Sequence, residues 1–135
     1  MAEELMLEIA TPDRLVFSDT VEMVTIPGGD GEFGVLIGHA PLLSTVNAGE
    51  MNFNKQGKKT YYAVDKGYVE VTFRKVTMLL SNAERADLVN KEKARKSREE
   101  AEQELAKLSR EDEGYEKVKD ALDWAEARLK AAEKA

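Results

Sequence analysis

Cysteine is absent from the 135-residue sequence, which excludes disulfides, thiolate metal ligands and cysteine nucleophiles together. Histidine occurs once, at His39, and a single histidine without cysteine is a poor basis for a metal site. No apolar run approaches the roughly 20 residues of a membrane-spanning helix. The acidic start, Met1-Ala2-Glu3-Glu4, lacks the basic and apolar regions of a signal peptide. We therefore expect the protein to stay where it is made and to reach a membrane only through a partner.

Positive charge is also in the minority, since 20 basic residues face 26 acidic ones and the net charge is −6. This balance argues against a nucleic-acid-binding protein and against a polybasic membrane anchor.

Glycine and proline are nearly missing from the C-terminal part: all three prolines, and every glycine except Gly114, precede Glu84. The sequence therefore predicts two parts, a domain of residues 1–84 and a helical segment of residues 85–135.

The first part consists of short β-rich runs separated by turn signals. Gly, Pro, Asn and Asp mark the turns, as in Pro27-Gly28-Gly29-Asp30-Gly31 and Gly38-His39-Ala40-Pro41. The clearest runs are residues 6–9, 21–26, 61–64, 68–73 and 76–80. Many short strands without intervening helical periodicity predict an antiparallel β-sandwich or barrel.

The second part is rich in strong helix formers and carries two apolar stripes of helical spacing. The first stripe comprises Ala94, Ala101, Leu105 and Leu108, and the second comprises Tyr115, Val118, Leu122, Ala125, Leu129 and Ala132. A break near residues 109–112 predicts an antiparallel two-helix hairpin, so the whole chain is of the α+β class. Because the stripes are thin and rich in alanine, we expect a hairpin of low local stability; a static, solvated hairpin is the alternative.

No constellation of catalytic residues is found. Residues 29–34 match the pattern G-x-G-x-x-G, but Val35-Leu36-Ile37 and then Gly38 and Pro41 follow, so no helix can begin there to meet a dinucleotide. His39 lies in a turn, where fixing the turn by hydrogen bonds is the favoured role. The sequence predicts no catalytic residue, no metal site and no cofactor.

A basic cluster at the start of the first helix is the most distinctive charged feature. It comprises Lys91, Lys93, Arg95, Lys96 and Arg98. Two interpretations are open. The cations can pair with acidic residues of their own helix, at ~0.2–0.5 kcal/mol a pair, or they can form a patch that faces an acidic partner. The internal pairs at the required spacing are Glu92–Lys96, Arg95–Glu99, Lys96–Glu100 and Arg98–Glu102.

Several ordered segments resemble the epsilon subunit of F-type ATP synthases. The most specific is Gly31-Glu32-Phe33-Gly34-Val35-Leu36-Ile37-Gly38-His39-Ala40-Pro41-Leu42-Leu43, which is similar to the family's "G-E-x-G-[IV]-L-x-G-H-x-P". The other matching segments are residues 9–13, 21–27, 63–71 and 76–85. Two of these segments depart from the family pattern. Asp13-Arg14 takes the place of the family's usual glycine, and Asp65-Lys66 differs from the family around the first glycine of the later segment. The resemblance covers nearly the whole chain.

The resemblance implies a non-catalytic central-stalk subunit on the cytoplasmic side of the bacterial plasma membrane, held there as a peripheral part of the complex. The sandwich would pack on the gamma subunit and the membrane c-ring, with Glu32 and His39 in the contact region, and would couple rotation to the catalytic head. The hairpin would lie on the sandwich or extend into the head, among the alpha and beta subunits, and there inhibit ATP hydrolysis. Extension would bring an acidic segment of the beta subunit against the basic cluster.

Some members of this family bind ATP on the folded hairpin through an "[IL]-D-x-x-R-A" motif and two arginines of the second helix. The positions that match are Val89, Asn90, Lys93, Ala94 and Arg128. Asn90 and Lys93 replace the motif's Asp and Arg, Trp124 takes the place of one arginine, and only Glu84 and Arg128 are retained. We therefore expect no appreciable ATP binding.

A function of another class also fits the pattern of strands and helices: a free-standing β-module with a helical adaptor for an unrelated complex. Co-purification separates the two hypotheses, because the stalk function requires the gamma subunit and the c-ring as partners.

Overall fold

The computed structural model describes residues 4–135, so residues 1–3 of the acidic N-terminus lie outside the described part of the chain. A β-domain precedes a helical hairpin, as the sequence predicts. The strands are β1 Leu5–Ala10, β2 Leu15–Val21, β3 Met23–Gly28, β4 Gly31–Leu36, β5 Leu42–Val46, β6 Gly49–Lys55, β7 Lys58–Val64, β8 Gly67–Val71, β9 Lys75–Leu80 and β10 Ala83–Arg85. A 3₁₀ turn, Ala86–Leu88, leads to helices α1 Lys91–Leu105 and α2 Tyr115–Ala132.

The strands form a continuous sheet in the order β10-β7-β6-β3-β5-β8-β9-β1-β2, with β4 added to β3. The β3–β5 link consists of the single pair Gly28–Val46, and on either side of it the sheet forms the two layers of a sandwich. All neighbouring pairs are antiparallel except β1–β9, which is parallel. The predicted antiparallel sandwich is thus confirmed, with one parallel pair that the sequence pattern does not reveal.

The core lies between the two layers and is built by strict alternation. In β1, Leu5, Leu7 and Ile9 are buried while the residues between them are half-buried. In β6, Met51 and Phe53 point inward in the same way. Because the side chains of a strand alternate between faces, the remaining positions of each strand form the outer faces of the sandwich, where any partner must bind.

Half of the strands have no counterpart in the sequence prediction. β2, β4, β5, β6 and β10 were not among the predicted runs. In β2, a register shift opposite Ile9 and Ala10 disturbs the alternation, and β6 carries Asn and Glu on its outer face. The strand predicted at residues 68–73 ends at Val71, because a turn closes there through Thr72 N–H donating to the Lys75 carbonyl at 2.8 Å.

The hairpin has the predicted helices, but its packing differs in detail. Leu108, predicted in the first stripe, lies beyond the end of α1 in the loop between the helices. Only Ala94 and Ala101 of α1 are buried. Helix α2 packs on α1 and also on β6 and β7, so it buries a second face, which includes Ala127 and Ala131.

Candidate functional site

An exposed apolar row crosses the outer face of the layer that contains β5, β8, β9, β1 and β2. Tyr68 of β8 lies opposite Leu79 of β9, Leu79 pairs with Ala10, and Ala10 pairs with Leu15. Tyr68 is 61% exposed, and Leu79 and Leu15 are each 57% exposed. Leu43, on the same face of β5, is 73% exposed. Contiguous exposed apolar surface of this kind marks a protein-interaction site.

Glu32 and His39 lie at opposite ends of β4. Glu32 is exposed in the β3–β4 hairpin, where it pairs with Pro27. His39 follows the other end of the strand, with its N–H bonded to the Leu36 carbonyl at 3.2 Å. Four residues of extended chain separate the two ends by roughly 13 Å. The two residues therefore lie at the two ends of one strand and do not contact each other.

The imidazole of His39 is engaged within its own turn. Nδ1 lies 2.7 Å from the Ala40 carbonyl oxygen, a contact that requires Nδ1–H to be the donor. The ring thus fixes the turn between β4 and β5, the local role that the sequence favours. Gly38 precedes it in a left-handed conformation, with φ of 86°, which explains why glycine occupies this position.

The basic cluster is largely open to solvent. Lys91, Lys93, Arg95 and Lys96 are exposed, and Arg98 is partly covered. Of the four internal pairs that the spacing allows, only Arg98–Glu102 forms within the described residues, with Nε 3.7 Å from Oε1. Because α1 packs on α2 through its alanines, the face with the cations is left free for a partner.

The residues of the degenerate ATP motif are occupied by structural contacts. Asn90 caps α1, since its Oδ1 accepts from the Lys93 N–H at 3.0 Å. Ala94 is buried and Val89 is half-buried. The Nε of Arg128 donates to the Oε1 of Glu84 at 2.9 Å.

The surface by which α2 docks on the sandwich was not predicted. A small apolar cluster unites Ala63, Ala86 and Ala131 with the half-buried Tyr61 and Trp124. In α2, residues 120, 124, 127 and 131 recur with 4-3-4 spacing, a second stripe that is legible in the sequence but weakened by its alanines and its aspartate.

Two ion pairs reinforce this docking surface. Lys66, between β7 and β8, lies with Nζ 2.5 Å from the Oδ2 of Asp120 in α2, and this hydrogen bond raises the pKa of Lys66. Arg128 pairs with Glu84 of β10, and the Arg128 guanidinium also lies 5.9 Å from the centre of the Trp124 ring. The hairpin is thus held on the sandwich by alanine contacts and charged groups rather than by a large apolar interface.

Neither a metal site nor a membrane-spanning helix is found in the described residues. No group of three or more His, Asp or Glu side chains is arranged to hold a metal ion within residues 4–135. In the same part of the chain, neither helix has the length and apolar content to cross a membrane.

Known proteins with similar sequences and structures agree on one family. The protein-family model described as "ATP synthase, Delta/Epsilon chain, beta-sandwich domain" matches residues 4–86. The ATP synthase epsilon chain of Geotalea uraniireducens is 43% identical over 135 residues, which cover 100% of this chain and 98% of the relative. That of Geobacter sulfurreducens is 42% identical, with the same coverage.

Solved structures extend the likeness to three dimensions. A chain in the Euglena gracilis mitochondrial ATP synthase structure, OSCP/F1/c-ring in rotational state 1, has a TM-score of 0.79 at 26% identity, covering 98% of this chain and 82% of that one. A chain of the Tetrahymena thermophila mitochondrial ATP synthase central stalk and c-ring shares the fold, with a TM-score of 0.56 at 9% identity, and the match covers 98% and 96% of the two chains. The sequence of strands and helices, the family match and the full-length relatives lead to one conclusion: the chain belongs to the ATP synthase epsilon chain family.

Proposed function

We propose that this chain is the non-catalytic epsilon subunit in the central stalk of a proton-translocating F-type ATP synthase, where it couples rotation of the c-ring to the catalytic head. The observation that carries the proposal is the exposed apolar row of Leu15, Tyr68 and Leu79, together with Leu43. A monomer that worked alone would not need this surface, whereas a subunit packed on a rotor shaft would bury it.

The gamma subunit is the proposed occupant of this apolar row. Glu32 and His39 lie at opposite ends of β4. Glu32, exposed in a polar hairpin, is proposed to meet the loops of the c-ring, and His39 to lie at the gamma contact. Through these subunits the chain would be a peripheral part of the complex on the cytoplasmic side of the bacterial plasma membrane.

The hairpin is the proposed regulatory element. In the docked position four of the five cations, Lys91, Lys93, Arg95 and Lys96, are exposed and the cluster forms few internal ion pairs, so it is available to an acidic surface. We infer that extension of the hairpin into the head, between alpha and beta subunits, brings these cations against an acidic segment of beta and inhibits ATP hydrolysis. Exposed charges attract one another weakly in water and are screened by salt, so such an inhibition would be reversible.

Removal of the hairpin tests this function directly. Deletion of residues 87–135 from the assembled complex should raise ATP hydrolysis while proton pumping stays coupled to it. The triple charge reversal Lys91→Glu, Arg95→Glu, Arg98→Glu should reproduce part of the effect. The matched control is the reversal of Lys107, Arg110 and Lys117, which changes the charge equally near the loop end of the hairpin. Hydrolysis that stays unchanged in the deletion would show that the hairpin does not inhibit.

A further inference from the structure

Glu50 places a carboxylate oxygen where no hydrogen-bond donor reaches it. Among the side-chain nitrogen and oxygen atoms of residues 4–135 that are fully buried, Glu50 Oε2 is the one without a hydrogen-bond partner. Nearly all buried polar atoms in native proteins have such a partner. An unpaired buried acceptor disfavours whichever conformation buries it, so the position of Glu50 decides which conformation is weakened.

Glu50 lies on the surface of the sandwich where the hairpin docks. Met51 and Phe53 point into the core, so the side chain of Glu50 lies on the outer face of β6. Its partner across the sheet is Ala63, which is completely buried against Ala131 of α2. Helix α2 is the element that packs on β6 and β7 here. The buried state of Oε2 is therefore a property of the docked hairpin.

The charged groups around this point do not compensate for the buried oxygen. Gly49, the neighbour of Glu50, lines a cavity together with Arg98 of α1 and Lys130 of α2. Three acidic residues of α2 line the same cavity, namely Asp123, Glu126 and Glu133. Asp123 is already paired with Lys119 of its own helix, and neither of the cations that line the cavity donates to Oε2.

We propose that Glu50 is a built-in destabilising contact that keeps the docking of the hairpin on the sandwich weak. When α2 leaves the sandwich, water reaches Oε2 and the penalty disappears. The alanine cluster and the pairs Lys66–Asp120 and Arg128–Glu84 favour docking, and Glu50 opposes them. This inference rests on the proposed regulatory function, in which the hairpin must be able to leave the sandwich without another subunit having to break a tight interface.

Hydrogen exchange of the isolated full-length chain measures this docking. In Glu50→Met, an unbranched apolar side chain of similar length replaces the carboxylate, and amides of α2 should exchange at least about fivefold more slowly. Glu50→Leu is a second variant, in case the methionine packs poorly. Glu70→Met is the matched control, because Glu70 is exposed on β8, away from α2, and exchange in α2 should not change. Slower exchange in either Glu50 variant supports the proposal, and unchanged or faster exchange in both overturns it.

Hydrolysis by the assembled complex separates this inference from the function on which it rests. If both hold, the variant with slower exchange also hydrolyses ATP faster, because fewer hairpins extend. Slower exchange with unchanged hydrolysis would keep the role of Glu50 and reject the inhibitory role of the extended hairpin. Unchanged exchange in both Glu50 variants, in a complex that the hairpin deletion still activates, would reject the role of Glu50 alone.

Discussion

Arg128 and Glu84 connect elements that are 44 residues apart in the chain. Their side chains are 18% and 32% exposed, less than the 58% and 36% of Lys66 and Asp120. A partly buried charge-assisted hydrogen bond is stronger than an exposed one, and removing one partner leaves the other poorly solvated. This contact is therefore the polar interaction that we expect to contribute most to docking of the hairpin.

Arg128→Gln should weaken docking by roughly 1–2 kcal/mol, because Glu84 would lose its cation while the stem of residue 128 could still pack near Trp124. Faster hydrogen exchange of α2 amides in the isolated chain would report the loss. Lys119→Gln is a suitable control, since it removes an ion pair that lies within α2, between Lys119 and Asp123. Equal effects of the two substitutions would contradict the special position of Arg128.

Arg128 also affects the prediction for nucleotide binding. Arg128 is already held by Glu84, Asn90 is occupied as a helix cap, and Lys93 offers a point charge where an arginine would offer a planar fork for phosphate. We expect titration calorimetry with MgATP to show no binding by the isolated chain at low micromolar concentration. A clear micromolar isotherm would contradict this. Asn90→Asp combined with Lys93→Arg should strengthen binding measurably, although Trp124 remains in the place of a second arginine.

At the scale of elements, the sandwich and the hairpin differ in how much apolar surface they bury. The sandwich encloses a continuous core with large side chains such as Leu7, Ile26 and Met78. In the hairpin, the buried residues are alanines except Leu122. Because burial stabilises by roughly 25 cal/mol per Å² of apolar surface, alanine-rich contacts contribute little, and each helix depends on its neighbours.

The sandwich and the hairpin should differ in whether they fold as separate fragments. Residues 1–86, a fragment that keeps β10 whole, should fold alone and melt cooperatively as β-structure, since the core is complete without α2. Residues 87–135 should be mostly disordered or marginally helical, because the docking face of α2 has nothing to cover it. Circular dichroism of both fragments decides the matter. A cooperative melt of the isolated hairpin would contradict a weakly held element and would favour a static one.

At the scale of the whole molecule, the interaction surfaces are well separated. The apolar row lies on one layer of the sandwich, while the hairpin docks on β6 and β7 of the other layer. The hairpin can therefore move without uncovering or blocking the apolar row. This arrangement suits a subunit that stays bound to the stalk while its C-terminal part changes position.

Charge placed on the apolar row should prevent assembly without unfolding the chain. Tyr68→Asp and Leu79→Asp put a carboxylate where the gamma subunit is proposed to pack, and desolvation of that charge would cost several kcal/mol. Co-purification with gamma should be lost, while the far-ultraviolet circular dichroism of the isolated chain stays the same. Leu88→Asp is the control: Leu88 is 69% exposed but lies in the 3₁₀ turn, outside this face. Retained assembly of Tyr68→Asp and Leu79→Asp would contradict the assignment of this surface.

The local sequence pattern was sufficient to predict those strands and helices that bury one regular face in the core. Short β-rich runs, the turn residues between them and the 3-4 spacing of Tyr115, Val118 and Leu122 predicted the sandwich and the hairpin. The ordered motifs predicted the family. Polar strands such as β6 and the three-residue β10 were missed, because their pairing depends on neighbours rather than on their own periodicity.

The amino-acid sequence by itself determined the two-part organisation, the fold class and the family, because hydrophobic period, turn chemistry and motif spacing are local properties. Only the tertiary structure decided that Arg128 is held by Glu84 and that one carboxylate oxygen of Glu50 is buried on the face of β6 where α2 packs. Burial of an outward-facing side chain depends on which distant segment covers it. Glu50 and Ala131 are 81 positions apart, so no local pattern could have revealed that α2 covers this part of β6.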